Sequence, residues 1–330
     1  MIISQTPLRI SFFGGGTDYV EYYRRHGGVT LGTSIDKYTY ITVSPLAPLF
    51  EHQIGAYYSR VERVSNLNEL QHPSIRECCR FLGINNGIEI HIASDLPART
   101  GLGSSSSFTV GLLNALYAFK GHNVGSNQLA RDAVHIEHNM IKERVGCQDQ
   151  YTCSIGGFLK IQYAKDGSID SKRLNIPEDR LNLLQKHLML FYTGIQRSAH
   201  EILEEQISNT QNGLIDDVLS EVKCLVEDGV QILVDSNSNL DEFGGLLHRA
   251  WDLKRKFSTK ITNHAIDNWY SKAKNNGAIG GKLLGAGGGG FLLLFVEIES
   301  RQRIREALVD LHEVKFRFIQ NGAHVVFQNI

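Results

Sequence analysis

The sequence predicts an α+β fold in two domains, residues 1–170 and 171–330. Three observations carry this. A chain of 330 residues suits one large or two ordinary domains and can bury a full core. Strand signals crowd its first half, while long helical periodicities fill the second. Between them lies a polar stretch, 164–180, with Asp166-Gly167 and Pro177 as chain breakers.

Taken in order, apolar β-branched runs predict strands over 29–33, 38–44, 54–59 and 88–93. Helical spacing predicts helices over 74–82, 105–119 and 128–143, and a strand over 157–163 closes this half. The second half opens with a strand over 188–191. Helices follow over 199–208, 214–234, 240–256 and 263–275. Apolar runs at 278–279 and 291–296 flank a glycine hairpin, then come a helix over 300–311 and a strand over 314–318. The pattern is that of helices layered on sheets.

Composition excludes several classes. A net charge of −1 leaves no electrostatic footprint for nucleic acid or an anionic membrane. No apolar run reaches the length of a membrane span, and the N-terminus lacks a signal-like core, so a cytoplasmic enzyme is expected. Five cysteines at unpaired spacings argue against a disulfide framework. His135 and His138 invite a zinc reading, but no third ligand is evident.

Three glycine segments carry the chemistry. Residues 95–107 read Asp-Leu-Pro-Ala-Arg-Thr-Gly-Leu-Gly-Ser-Ser-Ser-Ser and run straight into a helix. Gly101 and Gly103 let backbone approach a ligand closely. A helix N-terminus behind them offers free N–H groups and a partial positive charge, which is an anion site. The serines add hydroxyls for phosphate oxygens or a hard cation. One serine would suffice for a plain N-cap, and this run holds four. No lysine follows Gly103, so this is not the common NTPase loop; Ser106 stands where a dinucleotide fingerprint needs its third glycine. The second segment, 280–291, reads Gly-Gly-Lys-Leu-Leu-Gly-Ala-Gly-Gly-Gly-Gly-Phe. A hairpin needs one or two glycines, so another backbone or a ligand should pack here. In the third, 6–19, Arg9 lies in an apolar strand and needs an anionic partner or a cleft. Gly14 to Gly16 allow close approach, and Thr17 and Asp18 suit sugar hydroxyls or the N-cap of a following helix.

Together these segments resemble the GHMP kinases, the group of galactokinase, homoserine kinase and mevalonate kinase. The resemblance rests on Pro7-Leu-Arg-Ile-Ser through Gly16-Thr-Asp-Tyr19, on Pro97 through Gly101-Leu-Gly-Ser-Ser105, and on Lys282-Leu-Leu-Gly-Ala-Gly-Gly-Gly-Gly290. Thr17-Asp18-Tyr19 matches the galactokinase version, but Gly15-Gly16 replace that enzyme's Glu-His, so galactose is not the expected substrate. The wording of the first segment, with Ser34-Ile-Asp-Lys-Tyr38, is most similar to the heptose 7-phosphate kinases. The resemblance implies an N-terminal ribosomal-protein-like α/β domain, a C-terminal ferredoxin-like domain and an active site between them. It also implies ATP, Mg²⁺ and a phosphorylated sugar as ligands, with no nucleic acid or membrane partner; a homodimer is an open expectation.

Roles follow residue by residue. Glu137 falls on the predicted helix ended by Gly146, and Asp149 in the loop beyond; the pair resembles the family's metal-binding Glu and catalytic Asp. Ser105 and Glu137 are expected to hold Mg²⁺, and Asp149 to take or orient the acceptor proton. Arg9 or Lys142 would offset the charge that develops in transfer. Pro97, Gly101, Leu102, Gly103, Ser104, Ser105, Ser106, Gly287 and Gly288 are expected around the nucleotide. Gly16, Thr17, Asp18, Asp36, Lys37, Arg197 and Lys282 are expected around the sugar and its phosphate. Rival readings are a kinase for fucose or mannose and a non-catalytic sugar-nucleotide-binding relative.

Overall fold

In the computed structural model, which describes residues 1–196 and 199–329, the chain opens on an inner strand of the first sheet. β1 (Ile2–Phe13) is buried along most of its length, because strands lie on both edges and layers on both faces. α1 (Val20–His26) turns the chain into β2 (Gly28–Pro45), which merges the two strands expected at 29–33 and 38–44. β2 pairs with β1 along its length, and its other edge is shared by two partners. β3 (Ile54–Tyr57), β4 (Val61–Val64), α2 (Pro73–Phe81) and β5 (Ile88–Ser94) follow. Then come α3 (Ser104–Phe119), α4 (Ser126–His135), a π-helical turn (Ile136–Met140), α5 (Gln148–Ile155), β6 (Phe158–Tyr163) and β7 (Ile169–Arg173). The eight-stranded sheet runs β12-β1-β2-β5-β3-β4, where β12 is a strand near the end of the sequence (His324–Gln328), with β6 and β7 branching from β2. α3 lies across β1 close enough that a Cβ at Gly111 would meet Thr6 Oγ1 at 2.7 Å.

The second half comprises α6 (Glu178–His187), β8 (Leu188–Tyr192), α7 (Ala199–Gln211), α8 (Asp216–Val234), α9 (Asp241–Lys254) and α10 (His264–Asn275). It continues through β9 (Ala278–Leu283), β10 (Phe291–Val296), α11 (Arg301–Ala307), β11 (His312–Glu313) and β12 (His324–Gln328). Its antiparallel sheet runs β11-β8-β10-β9, so its four strands in chain order stand fourth, first, third, second. That is the ferredoxin-like order. Every residue of β10 is buried, which explains why its sequence is a continuous apolar run rather than an alternation.

Several boundaries differ from expectation. The domain boundary drawn at 170/171 falls inside β7, and β12 returns to pair with β1, so the last residues complete the first sheet. The strand expected at 314–318 does not form: a two-residue strand, His312–Glu313, precedes it, one isolated bridge joins Phe318 to Ile35, and Phe316 and Phe318 pack as an aromatic pair. The helix expected at 128–143 ends through the π turn at Met140. The two sheets meet over Phe12 and Phe13 of β1, whose rings contact Phe243 of α9 at 5.3 and 5.0 Å edge-on. One apolar core therefore runs from β1 into β8, β9 and β10.

Candidate active site

β1 positions the first functional side chain. Arg9 is 4% exposed, and its guanidinium grips the Asp149 carboxylate bidentately, Nε to Oδ1 and Nη2 to Oδ2 both at 2.7 Å. Its remaining nitrogen donates to Gly101 O at 2.6 Å, and its backbone N–H donates to Leu102 O. Arg9 thus ties the first glycine loop to the acid. Burial opposes the guanidinium charge, but the Asp149 partner wins and raises its pKa. Asp149 sits in the first turn of α5, not in a loop, where the helix dipole favours a carboxylate.

At the start of α3 the four serines divide their work. Gly103, with φ 74°, is the N-cap residue and turns the chain so that the first helical N–H groups face the loop. Ser104 Oγ accepts from Arg99 N at 3.2 Å. Ser105 is exposed. Ser106 is buried and donates to Glu137 Oε2 at 3.0 Å, and Ser107 donates to Thr6 O. The structure therefore brings Ser106, rather than Ser105, directly to Glu137. Leu102 is fully buried and serves as the loop's apolar anchor; Pro97 O accepts from the Thr100 hydroxyl.

Glu137 lies on the π turn, 1% exposed. Its Oε2 also accepts from Gln150 Nε2, while its Oε1 is buried with no partner among the described residues. Burial pushes its pKa up to about 7. A buried carboxylate oxygen without a partner, beside a hydroxyl and the unpartnered Gln150 Oε1, is a donor set that fits a hard divalent cation. Mg²⁺ is a cation of that type.

The Gly-Gly-Gly-Thr-Asp segment folds inward. Asp18 is fully buried and accepts from Gly16 N–H at 3.0 Å and Gln148 N–H at 3.3 Å. Its pKa is pushed up to about 6 by burial and by neighbouring Asp149. Gly146 is obligatory there, since a Cβ would stand 1.8 Å from Asp18 Oδ2. Thr17 spends its hydroxyl on Gly14 O and Val29 O and accepts from Val29 N, so it clamps the turn. Gly16, with φ 101°, packs under Leu219 and Phe257 of the second half.

The second glycine loop packs on backbone. A Cβ at Gly285 would stand 2.3 Å from Gly101 Cα, and one at Gly290 would stand 2.2 Å from Thr100 O. Gly287 and Gly288 lie against Ile261, with Gly288 N–H donating to Ile261 O at 2.8 Å. Lys282 is buried and donates to Phe12 O at 2.8 Å; burial and nearby Arg9 push its pKa down to about 7. Asp36 accepts from Arg317 N–H at 2.7 Å with Lys37 Nζ 3.7 Å away, so this pair sits at the β2 bend beside the C-terminal segment. Lys142 is exposed with φ 65°. Arg197 lies outside the described residues.

Four residues of this site received no role from sequence reasoning. Ser11 donates to Gln148 Oε1 at 2.6 Å, Gln150 binds Glu137, and Lys254 reaches the second loop. The two glutamines flank Asp149, the residue that resembles the family's catalytic Asp, and that proximity was the available signal; Lys254 lies in an ordinary helix and offered none.

A carboxylate held by arginine, the N-terminus of a helix behind a glycine loop and a buried glutamate with an unpartnered oxygen are the parts a phosphotransferase needs. Residues 70–157 match the family model described as the GHMP kinases N terminal domain, and residues 232–313 match that described as GHMP kinases C terminal; together these span just over half of the chain. The chain belongs to the GHMP kinases, which use ATP as phosphate donor, and within them it is a carbohydrate kinase. It is 26% identical over 322 residues to a D-glycero-alpha-D-manno-heptose 7-phosphate kinase of Campylobacter jejuni, covering 93% of both chains. It is 25% identical to an L-fucokinase/L-fucose-1-P guanylyltransferase of Bacteroides fragilis, spanning 36% of that longer protein. Its fold superposes on a crystal structure of a D-glycero-D-manno-heptose 1-phosphate kinase of Bacteroides thetaiotaomicron with a TM-score of 0.81, 22% identity and full coverage of both chains. Among the described residues no helix is long and apolar enough to cross a membrane.

Proposed function

We propose that this kinase transfers the γ-phosphate of ATP to the anomeric hydroxyl of D-glycero-D-manno-heptose 7-phosphate, giving the 1,7-bisphosphate used to make nucleotide-activated heptose. The observation that carries the catalytic part is the bidentate Arg9–Asp149 pair under the first glycine loop. The similarity to a heptose 7-phosphate kinase over nearly the whole of both chains supports the substrate, as does Gly15-Gly16 in place of the galactokinase Glu-His.

Asp149 accepts the proton of the attacking hydroxyl, and Arg9 holds that carboxylate and offsets charge on the transferring group. The free N–H groups of α3, with Gly101 to Ser106, cradle the phosphates. Glu137, with Ser106 and its exposed neighbour Ser105, would hold Mg²⁺, which would neutralise phosphate charge there. Asp18, fully buried, acts from beneath the site by holding the Gly16 and Gln148 N–H groups beside Asp149, and Lys37 and Arg197 are candidate cations for the sugar phosphate. Because transfer is mostly positioning and electrostatics, this set suffices.

The test is a coupled ADP-release assay over heptose 7-phosphate, mannose, fucose and galactose. Turnover confined to the phosphorylated heptose is expected. Equal turnover of fucose would move the substrate toward the fucokinase relative, and ATP turnover with no sugar of the panel would reject the assignment.

A further inference from the structure

Lys254 ends α9 with its ammonium buried, 9% exposed, and no carboxylate within ion-pair distance among the described residues. A buried ammonium without a counter-ion is costly unless its donors are satisfied. Here they are satisfied by backbone: Nζ donates to Leu283 O at 2.8 Å and to Gly285 O. Those two carbonyls bracket Leu284, whose own carbonyl would stand 2.4 Å from a Cβ at Gly101. On the far side of that contact, Gly101 O accepts from Arg9, and Arg9 holds Asp149. An unbroken series of contacts runs from Lys254 through the second loop and the first loop to the acid.

We infer that Lys254 is a positioning residue for phosphoryl transfer. Its ammonium fixes the carbonyls on either side of Leu284, which sets where the second glycine loop meets Gly101; through Gly101 and Arg9 it sets where Asp149 stands. Five glycines between residues 285 and 290 make the second loop adaptable in isolation, since glycine-rich backbone carries large conformational freedom. Two hydrogen bonds from one buried cation remove that freedom where the loops touch. Lys282 works in parallel at the same end of β9, tying the strand to Phe12 O. This inference rests on the kinase reading proposed above and adds a residue outside the nucleotide and sugar contacts.

The experiment compares Lys254→Met, which keeps the side-chain length and removes the donors, with Gly285→Ala, which keeps the ammonium and wedges the loops apart. Both are measured with ATP and the sugar that wild type accepts, and by calorimetry with a non-hydrolysable ATP analogue. A displacement of about 1 Å at a distance from the chemistry lowers rate by roughly a hundredfold. Each variant is expected to lower kcat by about that factor while the KM for sugar stays within about twofold. The double variant is expected to lose no more than the worse single, because both act through one contact. A kcat within about twofold of wild type for Lys254→Met, or losses that multiply in the double variant, would overturn the inference. So would a KM for sugar rising in step with the kcat loss, which is what general loosening of the fold produces. Should Lys254→Met fail to fold, Gly285→Ala carries the test, and full activity there would overturn it. Wild type inactive on every sugar would sink the kinase reading instead; crystal structures of the two variants then decide, since Gly101 and Asp149 displaced by about 1 Å would support the role of Lys254 and an unmoved pair would overturn it.

Discussion

The two glycine loops share a composition but use glycine for different reasons. In 97–107, Gly101 meets the other loop, with its Cβ position 2.4 Å from Leu284 O, but Gly103 turns the chain toward α3, and a Cβ there would press on side chains, Arg9 at 3.0 Å and Asp149 at 3.3 Å. In 284–290, the Cβ positions of Gly285, Gly287 and Gly290 fall on backbone of Gly101, Ile261 and Thr100, at 2.3, 2.9 and 2.2 Å. Side chains can yield, whereas packed backbone cannot. The first loop therefore shares one main-chain contact, at Gly101, and sets Gly103 against the reacting groups, whereas in the second loop all three of these glycines let pieces of main chain touch. Counting glycines does not distinguish these roles; what each absent Cβ would strike does.

The largest effect belongs beside the first loop. Asp149→Asn should cut kcat by about a thousandfold, near 4 kcal/mol of transition-state stabilisation, while analogue binding stays close to wild type. Steady-state kinetics with calorimetry checks this. A variant retaining a tenth of wild-type turnover would remove Asp149 from proton handling and leave Arg9 as the residue the first loop is built on.

The next effect sharpens the contrast directly. Gly290→Ala needs a positive φ and pushes a Cβ into Thr100 O, so it should cost about 2–4 kcal/mol of stability by denaturant unfolding. Gly103→Ala should cost less stability but more kcat, since its Cβ disturbs Arg9 and Asp149. The opposite ranking in either measurement would break the distinction between the loops.

A third prediction concerns Glu137, the acid that the first loop shares with Ser106. Its pKa rises on folding, from the usual 4.5 to about 7, because it is desolvated. The stability tied to its neutral form is fully present below about pH 4.5 and is lost as pH rises through about 7. Metal-free Glu137→Gln should therefore be more stable than wild type at pH 8, by of order 2–3 kcal/mol, and no more stable at pH 4. The rise in Tm that Mg²⁺ gives wild type should vanish in the variant. Thermal melts at the two pH values, with and without Mg²⁺, decide it. A variant less stable than wild type at pH 8 would make Glu137 a structural partner of Ser106 and Gln150 rather than a waiting cation ligand.

The contrast also explains what was legible in the sequence. The order of the glycine segments, the helix behind Gly103 and the apolar strand after Gly290 are local patterns, and each is present as expected. The ferredoxin-like order of the second sheet was implied by the family resemblance, while the long helical periodicities gave only the helices of that half. Asp149 was legible as a residue of interest, but its helix was not, because eight residues carry too little periodicity. β12 escaped because it is a half-exposed edge strand whose pairing with β1 joins opposite ends of the chain. The division of labour among Ser104, Ser105, Ser106 and Ser107 was equally hidden: it depends on which way each hydroxyl points on the first turn of α3, and on the π turn that delivers Glu137 to Ser106. Lys282 reads as a cation for a ligand, yet its ammonium is held by Phe12 O, a contact across 270 residues.

The smallest effect tests the remaining candidate for charge neutralisation. Arg9 touches Asp149, whereas Lys142 is exposed and held at φ 65°, a left-handed conformation that costs a residue with a side chain roughly 1 kcal/mol. Glycine removes that strain but gains freedom in the unfolded chain, so Lys142→Gly should change stability by no more than about 1 kcal/mol, in the stabilising direction. Its kcat should stay within about twofold of wild type, while Arg9→Lys, which loses the bidentate grip on Asp149, should fall much further. If Lys142→Gly instead lost activity at unchanged Tm, the exposed lysine would have to swing onto the transferring phosphate when substrates bind. Charge neutralisation would then belong to the segment linking Glu137 to Asp149 rather than to β1 beneath the first loop.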